Sequence, residues 1–429
     1  MEFITVADAI KKGTGHVHLR GWVYRERKSN AFAFVVLRDR TNILQCVIKK
    51  ENVSAEIWGA AESVLIESSV ELGGTLKEDK RAPTGFEVEV DEFKIVHKAE
   101  RFPITKDQST EDLLDKRHLW IRSRELTAVW KVKAEILRAC RDFFTKEGYF
   151  ETTPPIITGS SCEGGSTMFH VDYFGEEVFL GQSAQLYLEA MIFSLEKVWA
   201  LTPTFRAEPS KTSRHLTEFW MLEGETAWQD FEGLVQLEQG LLTVICQHVA
   251  KHCRDELTLL GRDYRELEKI KAPFPRITYT EAIEMLKKDG ISIPWGKDLR
   301  TIEEEALVKH YDKPLWVTGY PKEIKAFYMK DDPNDARVVK CCDVLAPEGY
   351  GEIIGSSERE TDVNILIKKL KMSGEKVEHY NWYLDLRRYG SVPHSGFGLG
   401  IERVVRWICK LESIRDAIPF PRTIKRSTP

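Results

Sequence analysis

The sequence predicts an α+β chain in two parts, a small β-barrel within the first hundred residues and a larger domain of strands and helices after it. Three observations carry this reading. Short β-rich runs separated by polar turns fill residues 16–97, with a single helical candidate among them. From about residue 125, long segments carry apolar residues at helical spacing. Between two of those segments, residues 204–225 read as a pair of strands joined by a polar, cationic loop.

The chain has 429 residues, enough for two or three domains and a sizeable core. Its 62 basic and 67 acidic residues give a net charge of −5, so a nucleic-acid partner has to bind local basic patches. No apolar run approaches ~18 residues, so no membrane span is expected. The start lacks a charged residue followed by a long apolar stretch, so no signal peptide is expected either. Eight cysteines lie scattered without a C-x-x-C pair. They are read as reduced thiols of a cytoplasmic protein, not as zinc ligands or disulfides.

Residues 1–102 are assigned to the barrel. Runs at 16–24, 32–39, 43–49, 69–76 and 86–97, with a helix at 55–64 between the third and fourth, give the layout of an OB-fold. Arg25, Arg27 and Lys28 stand beside Trp22, Tyr24, Phe32 and Phe34, a mixture of rings and cations that suits unstacked RNA bases. Trp22 and Phe32 are read as barrel core and Phe34 as a binding residue. Residues 103–124 are read as a hinge and 125–429 as the second domain, with a mixed insertion at about 254–335 assigned to packing and support.

In the second domain, a helix over residues 125–147 carries Val129, Val132, Ile136 and Phe143 on one side and ends at Gly148. Another helix is expected over residues 230–253. In the strand pair between them, Arg206 and Glu208 share one face, and Phe219, Met221 and Glu223 share another. Lys211, Arg214 and His215 gather at the loop. An inward Arg, a ring and a cationic tip suit a nucleoside triphosphate, the ring taking the base, the tip the outer phosphates and the Arg the phosphate under attack. The plainer alternative is a hairpin with a solvated charged tip.

Further along, Asp343 and Glu352 place two carboxylates across a turn, able to bind magnesium with phosphate and water completing its shell. Gly396, Gly398 and Gly400 alternate along a strand and leave one face bare for a flat ligand. Arg403 opens the next helix, where it can stack on a base and reach a phosphate.

Residues 205–219 resemble the second signature motif of class II aminoacyl-tRNA synthetases, in the F-R-A-E-x(6)-H-L-x-E-F form of the aspartate/asparagine/lysine subgroup. Pro155, after the helix at 125–147, matches the first motif, and residues 396–405 match the third. This resemblance implies a catalytic domain built on a mainly antiparallel sheet flanked by helices, an OB-fold that reads the anticodon, and a homodimer. It implies ATP and Mg2+, with Arg206 and Arg403 catalytic. ATP binding falls to those two and to Glu208, Arg214, His215, Phe219, Glu352 and Gly400. Asp343 and Glu352 fall on the metal ligands, and Gly355 stands where some relatives have a serine ligand.

For the amino acid, the resemblance implies Glu163, Gln185, Glu223 and Arg359. For the anticodon, it implies Phe34 stacking on the middle base, with Gln45 and Arg25 beside it. Residues 182–188 are similar to the Q-S-P-Q-L-x-K segment of aspartyl enzymes, but Leu188 replaces the lysine that neutralises the substrate carboxylate. Residues 383–396, Pro419–Thr423 and Glu223 lean towards the asparaginyl members. The implied partners are L-asparagine, ATP and tRNA(Asn), with no membrane. An aspartyl enzyme of relaxed tRNA specificity, and a paralogue that binds RNA or amidates small molecules, are the alternatives.

Overall fold

The computed structural model describes residues 2–162, 167–209 and 214–429. They divide into two units, the first ending at Gln108 and the second beginning at Ser109. In the first, strands β1 (Gly15–Lys28), β2 (Phe32–Arg38), β3 (Ile43–Lys49), β4 (Ser69–Glu78) and β5 (Phe86–His97) close a barrel in the order β1-β2-β3-β5-β4. The expected helix lies between β3 and β4, at Ala55–Ser63. This is the OB layout.

Strand alternation fixes what is inside. Val23, Ala33, Val35 and Leu37 are buried in the barrel core. Their neighbours Trp22 and Phe32 therefore point outward, 47% and 39% exposed. Both were expected in the core, and that assignment is corrected. Aromatic character alone does not tell which side of a pleat a ring takes.

The second unit contains strands β6 (Phe150–Glu151), β7 (Ile157–Thr158), β8 (His170–Tyr173), β9 (Glu176–Leu180), β10 (Lys197–Phe205), β11 (Glu218–Ala227), β12 (Arg276–Thr278), β13 (Leu315–Thr318), β14 (Cys341–Ala346), β15 (Gly351–Glu358) and β16 (His394–Gly400). Eight of them form one sheet, ordered β12-β13-β14-β15-β16-β11-β10-β6. Every adjacent pair in it is antiparallel except β12/β13 and β10/β6. Strands β7, β9 and β8 form a second, small sheet.

Two long helices cover the main sheet. Arg124–Lys146 starts at Ser123, whose hydroxyl accepts from the Leu126 N–H, and Phe231–His252 starts at Asp230, which accepts from the Gly233 N–H at 2.9 Å. Val129, Val132, Ile136, Leu234, Leu241 and Ile245 interdigitate with Leu222, Phe397 and Leu399 of the sheet. Phe144 stacks on Trp199 with ring centroids 4.9 Å apart. The stretch read as a hinge becomes helical at Thr110–Asp115 and Arg117–Trp120. All eight cysteines are buried free thiols. Among the described residues no helix is long and apolar enough to cross a membrane.

One buried acid in this core has a measurable consequence. Burial raises the Glu238 carboxyl to about 7, against the pull of Ser356 and the Trp316 indole N–H, which donates to it at 2.9 Å. In the unfolded chain the same group titrates near 4.5. Between those values the unfolded state has released a proton that the folded state keeps. Stability therefore falls as pH rises through that window and levels off above about 7. Glu238→Gln keeps an acceptor for Trp316 and removes the charge. It should flatten the curve and add up to about 3 kcal/mol at pH 8 relative to wild type. Urea unfolding of both proteins at pH 5 and pH 8 checks this, and an unchanged slope refutes it.

Candidate active site

Strands β10 and β11 form the expected hairpin, with Thr204 opposite Phe219 and Phe205 opposite Glu218. The regular ladder stops at Phe205, so Arg206 and Glu208 stand on irregular chain and not on a strand face as the alternation predicted. Other bonds hold that chain: the Arg206 N–H donates to the Thr217 carbonyl at 3.0 Å and the Ala207 N–H to the Thr167 carbonyl at 2.8 Å. Phe219, Met221 and Glu223 share the inner face of β11 and line a cavity of about 390 Å³. Arg206 and Arg403, predicted far apart in the chain, line the same cavity, as do Glu208, Arg214, His215, Gln185, Asp343, Glu352, Arg359 and Gly400. Glu163 and Lys211 lie outside the described residues.

At the hairpin end, the Arg206 guanidinium carbon sits 5.5 Å from the Phe219 ring centroid. Its Nε–H is buried with no acceptor among the described residues. Burial lowers the His215 pKa, helped by nearby Arg403, and its ring nitrogen lies 3.8 Å from Glu208. Arg214 donates to Glu304 at 2.5 Å. Gly351 makes that pair possible, because a Cβ there would come within 2.1 Å of the Arg214 side chain and 2.3 Å of Glu304.

Carboxylates and cations alternate across the middle of the cavity. Arg403 donates to both the carbonyl and the carboxylate of Glu352, at 3.0 and 2.9 Å. Burial would raise the Glu352 carboxyl, but Arg403 and Lys325 outweigh it and hold the group below its usual range. Asp343 goes the other way: burial lifts it to about 6, against Lys325, whose ammonium lies 2.7 Å away. Gly355 lies between the two acids, with its absent Cβ 3.4 Å from Glu352 Oε1 and 3.9 Å from Asp343 Oδ1. The two carboxylates thus converge on one bare backbone position. That donor set fits a divalent ion completed by phosphate and water, and among the described residues no three-residue cage is present.

At the opposite end, Glu223 accepts from the Ser183 hydroxyl and, at 2.8 Å, from the Ala184 N–H. The Arg359 guanidinium is gripped by Glu225 and donates to Ser357 at 2.7 Å, with its carbon 5.0 Å from the Tyr328 ring centroid. Burial opposes its charge, but Glu225 and Glu189 outweigh burial and hold it protonated. Behind this wall, Glu189 accepts from Gln185 at 2.9 Å, from the Tyr383 hydroxyl at 2.7 Å and from Arg387 at 2.5 Å.

Three sequence expectations change. The insertion does more than support, since Asp298, Glu304, Lys325 and Tyr328 all line the cavity. The glycine strand is bare only in part: Glu225 occupies the space over Gly396 and Met221 that over Gly398, where a Cβ would lie 2.1 and 2.9 Å from them, while Gly400 has Arg403 no nearer than 3.5 Å. Leu188 is not on the cavity wall but buried with Ala184, Ile192, Val198 and Ala200. Of the residues sequence reasoning missed, Glu225 had a signal, standing two positions after Glu223 on the same strand face. Lys325 and Glu304 had none.

On the barrel, Val36 of β2 pairs with both Arg25 and Gln45, and Phe34 pairs with Arg27 and Val47. Phe34 and Phe32 lie 6.3 Å apart between centroids, and the Gln45 amide donates to Glu87 at 2.8 Å. The three residues expected to meet RNA therefore share the outer surface of neighbouring strands.

Comparison with known proteins gives the family. Residues 109–424 match the family described as tRNA synthetases class II (D, K and N), and residues 17–96 match the OB-fold nucleic acid binding domain. The chain belongs to the class II aminoacyl-tRNA synthetases of the aspartate, lysine and asparagine group, a family of ligases. Within it, the chain is similar to the asparagine–tRNA ligase of Thermoplasma acidophilum, 49% identical over 96% of each chain, and to that of Thermococcus kodakarensis, 50% identical over 96% of each. Among solved structures it is similar to asparaginyl-tRNA synthetase from Pyrococcus horikoshii complexed with asparaginyl-adenylate, with TM-score 0.96, 46% identity and full coverage of both chains. Membership implies ATP as a substrate and, typically, a divalent metal.

Proposed function

We propose that the chain activates L-asparagine with ATP and transfers the asparaginyl group to the 3′ end of tRNA(Asn). The observation that carries this reading is the pair Glu223 and Arg359, each fixed from behind, at the end of a cavity that also holds Arg206 and Arg403. Glu223 accepts from the side-chain NH2 and Arg359 donates to the side-chain oxygen, a match for a neutral amide. Gln185, oriented by Glu189, accepts from the α-ammonium group. Phe219 and Arg403 hold the adenine, while Arg214, His215 and Lys325 face the outer phosphates beside Glu208.

The asparagine carboxylate oxygen attacks the α-phosphorus, the bond to the bridging oxygen breaks, and pyrophosphate leaves. Arg206, whose buried Nε–H has no acceptor among the described residues, donates to the oxygen on which charge builds. A ribose hydroxyl of the tRNA then takes the acyl group and AMP departs. The chain supplies alignment and charge and no nucleophile. Asp343 and Glu352 would hold Mg2+, which would neutralise phosphate charge when bound.

Phe34, Gln45 and Arg25 read the anticodon by stacking and hydrogen bonding. The exposed side chains of Phe150, Ile156 and Ile157, around Pro155, support a homodimer interface. A cytoplasmic location fits the free amino acid and tRNA as substrates.

Pyrophosphate exchange driven by asparagine and by aspartate, measured side by side, tests the reading. Asparagine should exceed aspartate by ~100-fold or more, the discrimination expected where a charge meets an opposed buried charge. Equal rates would favour the relaxed aspartyl alternative.

A further inference from the structure

The far end of β11, which carries Phe219, has the least support from the sheet. Strand β16 pairs with β11 from Ala227 back to Met221 and stops there, opposite Gly400, as the chain turns into the helix Ile401–Ile408. Residues 217–220 therefore extend past the end of their neighbour. Two acceptors from later in the chain close this open edge. The Trp220 N–H donates to Glu402 Oε2 at 2.9 Å, and the Thr217 N–H donates to the Arg422 carbonyl at 2.9 Å, with Glu218 and Arg422 forming an isolated antiparallel bridge. The Thr217 carbonyl in turn accepts from the Arg206 N–H at 3.0 Å. One residue thus joins Arg422 to the arginine aimed at the phosphate.

A cation fastens Glu402, and another fastens the chain that leads to Arg422. Lys133 donates to Glu402 Oε1 at 2.6 Å and to the Ala417 carbonyl at 3.2 Å. Arg117, with no exposed surface, spends its guanidinium on one stretch of chain. It donates to the carbonyls of Arg415, Ile418 and Pro419 at 3.0, 3.1 and 2.8 Å and to the Asp416 carboxylate at 3.1 Å. Its planar fork lies 4.7 Å from the Trp120 ring centroid. Outside this clamp, the Arg426 backbone bonds Thr423 and its side chain pairs with Glu111 and Asp115, which are exposed, so that these ion pairs are worth little.

We propose that residues 415–422, locked by Arg117, are a strut that positions Arg206 and Phe219 for ATP, with Arg117 and Arg422 as positioning residues. This deepens the reading of the cavity as an ATP site and rests on it. The strut pairs with the end of β11 next to Phe219, and Glu223 lies farther along that strand, so its loss should separate the two substrates.

The test compares a chain ending after Pro421, which lacks the Arg422 carbonyl, with one ending after Thr423, which keeps it. In asparagine-dependent pyrophosphate exchange the shorter chain should show a KM for ATP raised about tenfold or more, equivalent to ~1.4 kcal/mol. Its KM for asparagine should stay within about twofold, and the longer chain should match wild type. A folded shorter chain with unchanged KM for ATP overturns the proposal. So does an equal rise in both KM values, which would mark a merely structural role. If the shorter chain does not fold, Arg117→Lys, which keeps the charge but loses the fork, is judged by the same criteria. If wild type shows no asparagine-dependent exchange, the functional reading itself fails. Calorimetric titration of the same chains with ATP then still decides the strut.

Discussion

Arg206→Ala should lower asparagine-dependent pyrophosphate exchange by ~100- to 1,000-fold or more while leaving the fold intact. The expectation follows from where the side chain stands. Its backbone is held by Thr217 and its guanidinium lies over Phe219, yet its Nε–H is buried without an acceptor among the described residues. A buried donor left unsatisfied costs free energy unless a ligand completes it. Removing it should therefore relieve the free protein slightly and harm only the reacting complex. The loss should fall mainly on kcat, because the contact strengthens as charge develops on the phosphate. A folded variant with near-normal exchange would remove Arg206 from the chemistry.

The second large effect concerns amino-acid choice. Asparagine and aspartate have nearly the same shape, so the cavity must tell them apart by charge and by the direction of hydrogen bonds. Glu223 is held by Ser183 and Ala184, and on the proposed reading an aspartate would set a second carboxylate against it. Glu223→Gln should cost ~100-fold or more in kcat/KM for asparagine, since the acceptor for the amide is weakened inside a buried site. The same change removes the repulsion, so activation of aspartate relative to asparagine should rise. Side-by-side exchange assays read both numbers, and an equal loss for the two amino acids would refute this view of the pocket. Placing a cation at position 188 offers no comparable test, because Leu188 packs among alanines, valine and isoleucine and not on the cavity wall.

What could be read from the sequence was what lies close together in it. The barrel followed from the spacing of its strands, and Arg206, Phe219 and Glu223 came from one hairpin whose alternation put the last two on a single face. Asp343 and Glu352 were legible as a pair across a turn. What escaped depends on pairing between distant segments. Lys325 reaches the cavity only because β13 and β14 pair around it, and Glu304 only because its helix brings it against Arg214 and the Glu352 N–H. The glycines of β16 read as empty space until β11 was set beside them and Glu225 filled one gap. Trp22 and Phe32 were misplaced because a ring suits either side of a barrel wall, and only the pleat decides.

Three cations of the cavity each rest on a carboxylate of the protein itself: Arg214 on Glu304, Arg403 on Glu352 and Lys325 on Asp343. On the proposed reading, a triphosphate would meet these three side chains by exchange of counter-ions. Attraction at long range is correspondingly small, because each cation and its carboxylate cancel beyond about a Debye length of ~8 Å. Nucleotide affinity should consequently depend less steeply on ionic strength than the number of basic side chains would imply. On that reading, selectivity would arise late, when the phosphates are close enough to replace the carboxylates one for one.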